Sequence, residues 1–142
     1  MRNAGHLLQD KGRAIFHVAP DDSVLDAIRE MAQHGIGAVL VMKGDALVGI
    51  LSERDYARNV ILKDRSSKTT KVAEIMSAPV ITVTPSSTLD DCMRTITDSR
   101  VRHLPVVDDG MVVGVLSIGD LVKAVIDAQA REIEQLHNYI AG

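Results

Sequence analysis

Two pairs of residues carry most of the chemistry this sequence offers: Ser52 with Asp55, and Ser117 with Asp120. In each, a hydroxyl and a carboxylate stand three positions apart, directly after an apolar run reading Gly-Ile-Leu or Gly-Val-Leu. At a helix start this is the spacing of a capping box, in which the Ser oxygen accepts from a backbone N–H three residues on and the acid accepts from the N–H of the Ser. Capping alone satisfies it. The same groups also suit a ligand. A carboxylate can accept both hydroxyl protons of a ribose cis-diol, while a Ser hydroxyl and the free N–H groups of a helix start suit a phosphate. Asp would repel a phosphate, so it belongs on the sugar.

The neighbours of the two pairs differ. Arg54 adjoins Asp55 on the first turn, with Arg58 one turn later, and Arg54 is the best single phosphate candidate. Gly119 stands in its place in the second phrase, so positive charge there would have to come from Arg100 or Arg102. A solvated surface position accounts for any one of these arginines equally well. Ser117, His103 and Asp120 could be assembled on paper into a nucleophile, base and acid. The helix start already explains Ser117 and Asp120, however, and no G-x-S-x-G phrase supplies an oxyanion site, so no catalytic residues are expected. The five histidines lack metal-ligand spacing and no Cys accompanies them, so no metal is expected. Cys92, the single cysteine, falls on the apolar face of a helix and reads as a buried, inert thiol.

The elements that must position these groups come twice. Setting Pro20 against Pro85 aligns residues 15–61 with 80–126 without a gap, and identical pairs include Asp26/Asp91, Arg29/Arg94, Gly49/Gly114, Leu51/Leu116, Ser52/Ser117 and Asp55/Asp120. Such a match marks an internal duplication. Each copy opens with an extended run (Ile15–Val18; Val80–Val83), then a Pro, then a helix start at Ser23 or Thr88 with Asp three residues on. Apolar residues at helical spacing follow, Val24, Ala27, Ile28 and Met31 or Leu89, Cys92, Met93 and Ile96. Gly35 is a natural stop for the first helix; Arg100 at the matching position gives no such signal. Two apolar strands then flank Lys43-Gly44-Asp45 or Asp108-Asp109-Gly110, which read as hairpin turns, and a second helix starts at Ser52 or Ser117. The predicted fold is α+β, with tandem β-α-β-β-α repeats packed with pseudo-twofold symmetry. A repeat this small is marginal alone, because it buries only about 60% of its chain surface.

The expected organisation is a single module over 1–142, with a first repeat at 14–62, a linker at 63–78, a second repeat at 79–127 and a C-terminal helix extension at 128–142. The linker is polar and expected to be exposed as far as Val72-Ala73-Glu74-Ile75-Met76, which reads as one helical turn. Leu7-Leu8 is expected to play the same part for the first repeat. From Asp120 the last helix can run to about Ile140 with Val122, Val125 or Ile126, Gln129, Ile133, Leu136 and Ile140 roughly along one stripe. It could cap its own module or pair with a second chain.

Composition narrows the function classes. The chain has 142 residues, a net charge of −3 and only 2% aromatic residues, which argues against a nucleic-acid stacking surface. No apolar run approaches the roughly 20 residues of a membrane span. The start of the chain lacks the apolar centre of a secretory signal, and a lone cysteine fits a reducing, cytoplasmic setting.

With its phrases Gly49…Ser52…Asp55 and Gly114…Ser117…Asp120, and with Arg102-His103-Leu104-Pro105-Val106, the chain resembles the CBS domain pair, or Bateman module, over residues 14–127. Ser52-Glu53-Arg54-Asp55-Tyr56 and the linker Arg65-Ser66-Ser67-Lys68 look like the stand-alone CBS-pair proteins of bacteria and plant organelles. The resemblance implies a non-catalytic regulatory module that binds an adenosine-containing ligand in clefts between the repeats: AMP first, with ATP, ADP, NAD or S-adenosylmethionine as further members of the class. It implies a homodimer and a separate, unidentified regulated protein. The residues it assigns to the ligand are Ser52, Arg54, Asp55, Thr82, Arg102, His103, Pro105, Ser117 and Asp120, with Pro105 holding its strand open beside the base. The first repeat has Gly37-Ala38-Val39-Leu40 where the second has Arg102-His103-Leu104-Pro105, so the two sites are expected to differ. The alternative is a dimeric interaction scaffold with degenerate pockets.

Overall fold

A computed structural model describes residues 2–141. The chain is α+β and forms two compact units, one comprising residues 15–80 and the other the residues up to 14 together with those from 81 onward.

In the unit of residues 15–80, β1 (His17–Val18) pairs in parallel with β2 (Ala38–Lys43), which pairs antiparallel with β3 (Ala46–Ser52). Between them runs α2 (Val24–His34), begun by Ser23, whose side chain accepts from the Asp26 N–H, and ended by Gly35 in the left-handed conformation that glycine adopts without steric cost. Helix α3 (Glu53–Tyr56) follows β3 and widens into π-type turns over Ala57–Ile61. The core gathers Val24, Ala27, Met31, Val39, Val41, Leu51, Val60, Val72 and Ile75, with Val72 and Ile75 coming from the short helix α4 (Val72–Ile75).

The other unit repeats the plan with α5 (Leu89–Ser99), β4 (His103–Asp108), β5 (Met111–Ser117) and α6 (Ile118–Ala141). Its core gathers Leu89, Cys92, Ile96, Leu104, Val106, Leu116, Leu121 and Ala124. Buried in the same cluster are Ala4, Leu7 and Leu8 of α1 (Ala4–Lys11). Leu7 and Leu8 therefore serve the second repeat, whereas the sequence suggests the first. The exchange is symmetric in detail. The Val24 N–H donates to the Thr70 carbonyl at 2.9 Å, and its counterpart Leu89 donates to the Arg2 carbonyl at 3.1 Å. Ser23 bridges to Lys71, and Thr88 to Asn3. Each repeat thus borrows, to satisfy the open N–H groups at its first helix start, the segment that precedes the other repeat in sequence. For the same reason the linker is not exposed throughout: Thr70 is buried, and its hydroxyl donates to the Ser66 carbonyl at 2.7 Å.

Two further differences have local causes. The extended run expected at Val80–Val83 pairs only at Val83, which bridges Val106 in parallel. In the first repeat the Leu40 N–H donates to the Phe16 carbonyl at 3.1 Å and extends the ladder. The residue matching Leu40 is Pro105, which has no N–H to give, so the equivalent bond to Ile81 cannot form. Secondly, α5 ends on Arg100 in the left-handed region, φ 55 and ψ 38, where the first repeat places Gly35. A non-glycine residue there left no mark in the sequence.

Candidate functional site

Each twin phrase lies where a core strand runs directly into a helix. Gly49 and Gly114 are the close-approach points. A Cβ on Gly114 would lie 2.6 and 2.8 Å from the two terminal methyls of Leu8, and one on Gly49 would overlap the Met76 side chain. The glycines let α1 and α4 lie against the strands, and this seats the ends of those segments beside the carboxylates.

In the first repeat the Ser52 N–H donates to Asp55 Oδ2 at 3.0 Å, the Ser52 hydroxyl donates to the same oxygen at 3.1 Å, and the Asp55 N–H donates to Ser52 Oγ at 3.2 Å. Ser77, one residue beyond Met76, donates its hydroxyl to Asp55 Oδ1 at 3.2 Å. Its backbone exchanges two hydrogen bonds with Ile50 at 2.9 and 3.0 Å. Asp55 is half-buried and Arg54 is exposed, with no ion pair for Arg54 among the described residues.

In the second repeat the Ser117 N–H donates to Asp120 Oδ2 at 2.7 Å and the Asp120 N–H donates to Ser117 Oγ at 3.2 Å. Here the partner from the N-terminal segment is Lys11. Its ammonium donates to Asp120 Oδ2 at 2.6 Å and to the Val115 carbonyl at 2.7 Å. Val115 and Asp120 match Ile50 and Asp55, so Lys11 occupies the role of Ser77 with a charge in place of a hydroxyl. Burial works to raise the Asp120 pKa, but the hydrogen bonds from Lys11 and Ser117 outweigh it and hold the carboxyl below the usual value of 3.8.

The structure brings Ser52, Arg54 and Asp55 together at one strand–helix junction, and His103, Ser117 and Asp120 at the other, where His103 and Ser117 are directly opposed in the β4–β5 ladder. Arg102 is exposed just before β4, and its carbonyl accepts from the Ile118 N–H at 2.8 Å. Pro105 is buried, with its carbonyl accepting from Val83 at 3.1 Å, and Thr82 is exposed next to that bridge. Helix-start N–H groups are fewer than the sequence suggested. Glu53 donates to the Gly37 carbonyl at 3.0 Å, as Ile118 does to Arg102, and the acids' own N–H groups go to the Ser hydroxyls. Fewer backbone N–H groups are thus left at each helix start. Lys11 and Ser77 were not foreseen; the signal was the repeat itself, because the segments before each copy align at Leu8 with Met76.

A groove of about 480 Å³ beside α2, lined by Ile28, Met31, Ile36, Gly37, Glu53 and Tyr56 among others, contains none of the expected ligand residues. Among the described residues no three His, Cys, Asp or Glu side chains gather as a metal site would require. No helix of the described residues is long and apolar enough to cross a membrane.

The CBS domain model matches residues 12–61 and again 72–127. The chain is 46% identical over 127 residues to the mitochondrial CBS domain-containing protein CBSX3 of Arabidopsis thaliana, a match covering 86% of this chain and 62% of that protein. It thus spans about three fifths of that relative. The crystal structure of a CBS domain, NE2398, superposes with a TM-score of 0.84 at 53% identity, covering 88% of this chain and 98% of that one. A putative signal-transduction protein with CBS domains from Burkholderia ambifaria gives 0.85 at 52% identity, covering 89% and 96%. Two matched repeats, two β-α-β-β-α units and relatives of this similarity leave one assignment: the chain belongs to the CBS domain family and carries a tandem pair, an arrangement that serves as a regulatory module.

Proposed function

We propose that this CBS pair senses adenosine-containing nucleotides, AMP foremost and ATP, ADP or NAD within the same class, and that a separate protein reads its ligand state. The observation that carries the reading is the disposition of the twin carboxylates. In both repeats the bonds from the helix cap fall on Oδ2 of the acid, and a carboxylate has about four acceptor sites. Asp120 therefore keeps Oδ1, with both its acceptor sites, for a ribose diol, whereas on Asp55 the Ser77 hydroxyl already takes one site of Oδ1 and a diol would have to displace it. Arg54 in the first site, and Lys11 with Arg102 in the second, supply charge for a phosphate. Beside Pro105 the sheet pairing stops at Val83, which leaves the backbone around Thr82 for the edge of a base, with His103 at the start of the neighbouring strand β4. The module acts by binding and not by catalysis, in a homodimer and in the reducing setting of the cytoplasm.

A ligand shifts the module between states only by its differential affinity for them. Thermal unfolding against AMP, ADP, ATP, NAD and S-adenosylmethionine tests the reading. At about 100 times its dissociation constant a ligand stabilises by about 2.7 kcal/mol. No rise in the midpoint with any of the five at millimolar concentration would remove the sensor reading and leave the interaction scaffold.

A further inference from the structure

Helix α6 buries no residue after Asp127 in its unit. Leu121 and Ala124 in its first turns are buried in the core, whereas every residue from Ala128 to Ala141 is exposed. The exposed part is not uniformly polar. Val122, Ile126, Gln129, Ile133, Leu136 and Ile140 recur at alternating steps of four and three, and Ile126, Ile133, Leu136 and Ile140 are 58%, 67%, 58% and 83% exposed. At 3.6 residues per turn these six fall within about 80° of arc, roughly 120° away from the direction of Leu121 and Ala124. They form a second face, separate from the one that holds α6 in its unit.

The step pattern is a heptad seam, the period that keeps one stripe against a partner helix. Isoleucine fills one core position three times, at 126, 133 and 140, and Val122, Gln129 and Leu136 fill the other. In a parallel coiled coil Ile at the first position, with Leu at the second as at Leu136, favours two strands. We infer that α6 pairs with α6 of a second copy of this chain as a parallel, in-register two-stranded coiled coil over residues 122–140.

Two features fit a second copy of the same helix in parallel register. In the parallel register Gln129 meets Gln129, and the two amides satisfy each other; an antiparallel pairing of the same six residues sets Gln129 against Ile133 and leaves a buried amide without a partner. The same register sets Glu132 of one copy beside His137 of the other at the flanking positions that choose partner and orientation. The seam accounts for the exposed apolar stripe whether or not a nucleotide binds.

Oxidative cross-linking of the full chain carrying Leu136→Cys tests it, with Arg131→Cys on another face as control and the native Cys92 buried. The seam predicts near-complete disulfide-linked dimer for Leu136→Cys and little for Arg131→Cys. In sedimentation, wild type is a dimer at micromolar concentration and Ile133→Asp weakens it by about tenfold or more. Equal cross-linking of the two cysteine variants, an unchanged dimer in Ile133→Asp, or a monomeric wild type whose stripe serves another protein would each overturn the inference.

Discussion

Lys11 Nζ stands 2.6 Å from Asp120 Oδ2, so the segment preceding the first repeat completes the carboxylate site of the second. The matching carboxylate, Asp55, receives a neutral hydroxyl from Ser77. The same acid in the same helix cap therefore sits in two electrostatic settings. Under the proposed nucleotide binding, Lys11 next to Asp120 and the exposed Arg54 beside Asp55 are the groups that would draw an anionic ligand.

The pair makes a pH prediction. The Asp120 carboxyl titrates below its ordinary value in the folded chain, so its stabilisation is complete above the unfolded value near 3.8 and is lost as pH falls through the depressed folded value. Lys11→Met should cost about 1 kcal/mol in urea unfolding at pH 7, at the low end for a charged hydrogen bond because Lys11 is 39% exposed. The gap to wild type should hold down to about pH 5 and narrow below 3.8. A gap independent of pH would mean that packing, and not the ion pair, is what Lys11 contributes.

Arg100→Gly should stabilise the protein. The left-handed conformation at the end of α5, φ 55, costs an L side chain of order 1 kcal/mol that glycine does not incur. A gain of about 0.5–1 kcal/mol in chemical denaturation is expected, reduced by the extra freedom of glycine in the unfolded chain. A loss would show that the Arg100 side chain makes a stabilising contact.

Gly114→Ala and Gly49→Ala separate the two strap contacts. A methyl added at Gly114 meets both branches of Leu8, which is fully buried and has nowhere to turn. A methyl added at Gly49 meets the unbranched, half-buried Met76, which can swing aside. Gly114→Ala should cost about 1–3 kcal/mol and Gly49→Ala less than about 1.5 kcal/mol. Denaturation midpoints giving the reverse order would contradict the packing described for α1.

Leu8→Ala should cost about 2–5 kcal/mol, as a buried leucine truncation does. Amide exchange should localise the loss to the unit containing residues 81–141, with amides of residues 15–80 less affected. Loss confined to residues 15–80 would place α1 on the wrong repeat.

The duplication, the strand–helix junctions and the capping boxes were legible because each rests on local spacing, and spacing survives without coordinates. Which repeat each preceding segment joins was not legible. Leu7-Leu8 and Val72…Met76 present similar apolar turns, and nothing in either names its partner; the choice shows only in the tertiary contacts of Leu8 with Gly114 and of Met76 with Gly49. The shortened first strand of the second repeat could have been foreseen, since a proline opposite a parallel strand removes a specific donor. The left-handed Arg100 could not, because an arginine carries none of the helix-stop signal that Gly35 does. The role of Lys11 is not legible in the sequence because its partner lies 109 positions away.

The central claim is that Asp55 and Asp120 hold a nucleotide ribose, and calorimetric titration of AMP into wild type, Asp55→Asn, Asp120→Asn and the double variant tests it most directly. Asn keeps an acceptor for the helix cap and removes the charge. Each single change should weaken its own site by about 10- to 100-fold, the worth of a charged hydrogen bond, and the double variant should give no measurable heat at micromolar protein. Binding to the double variant with the affinity of wild type would contradict the account.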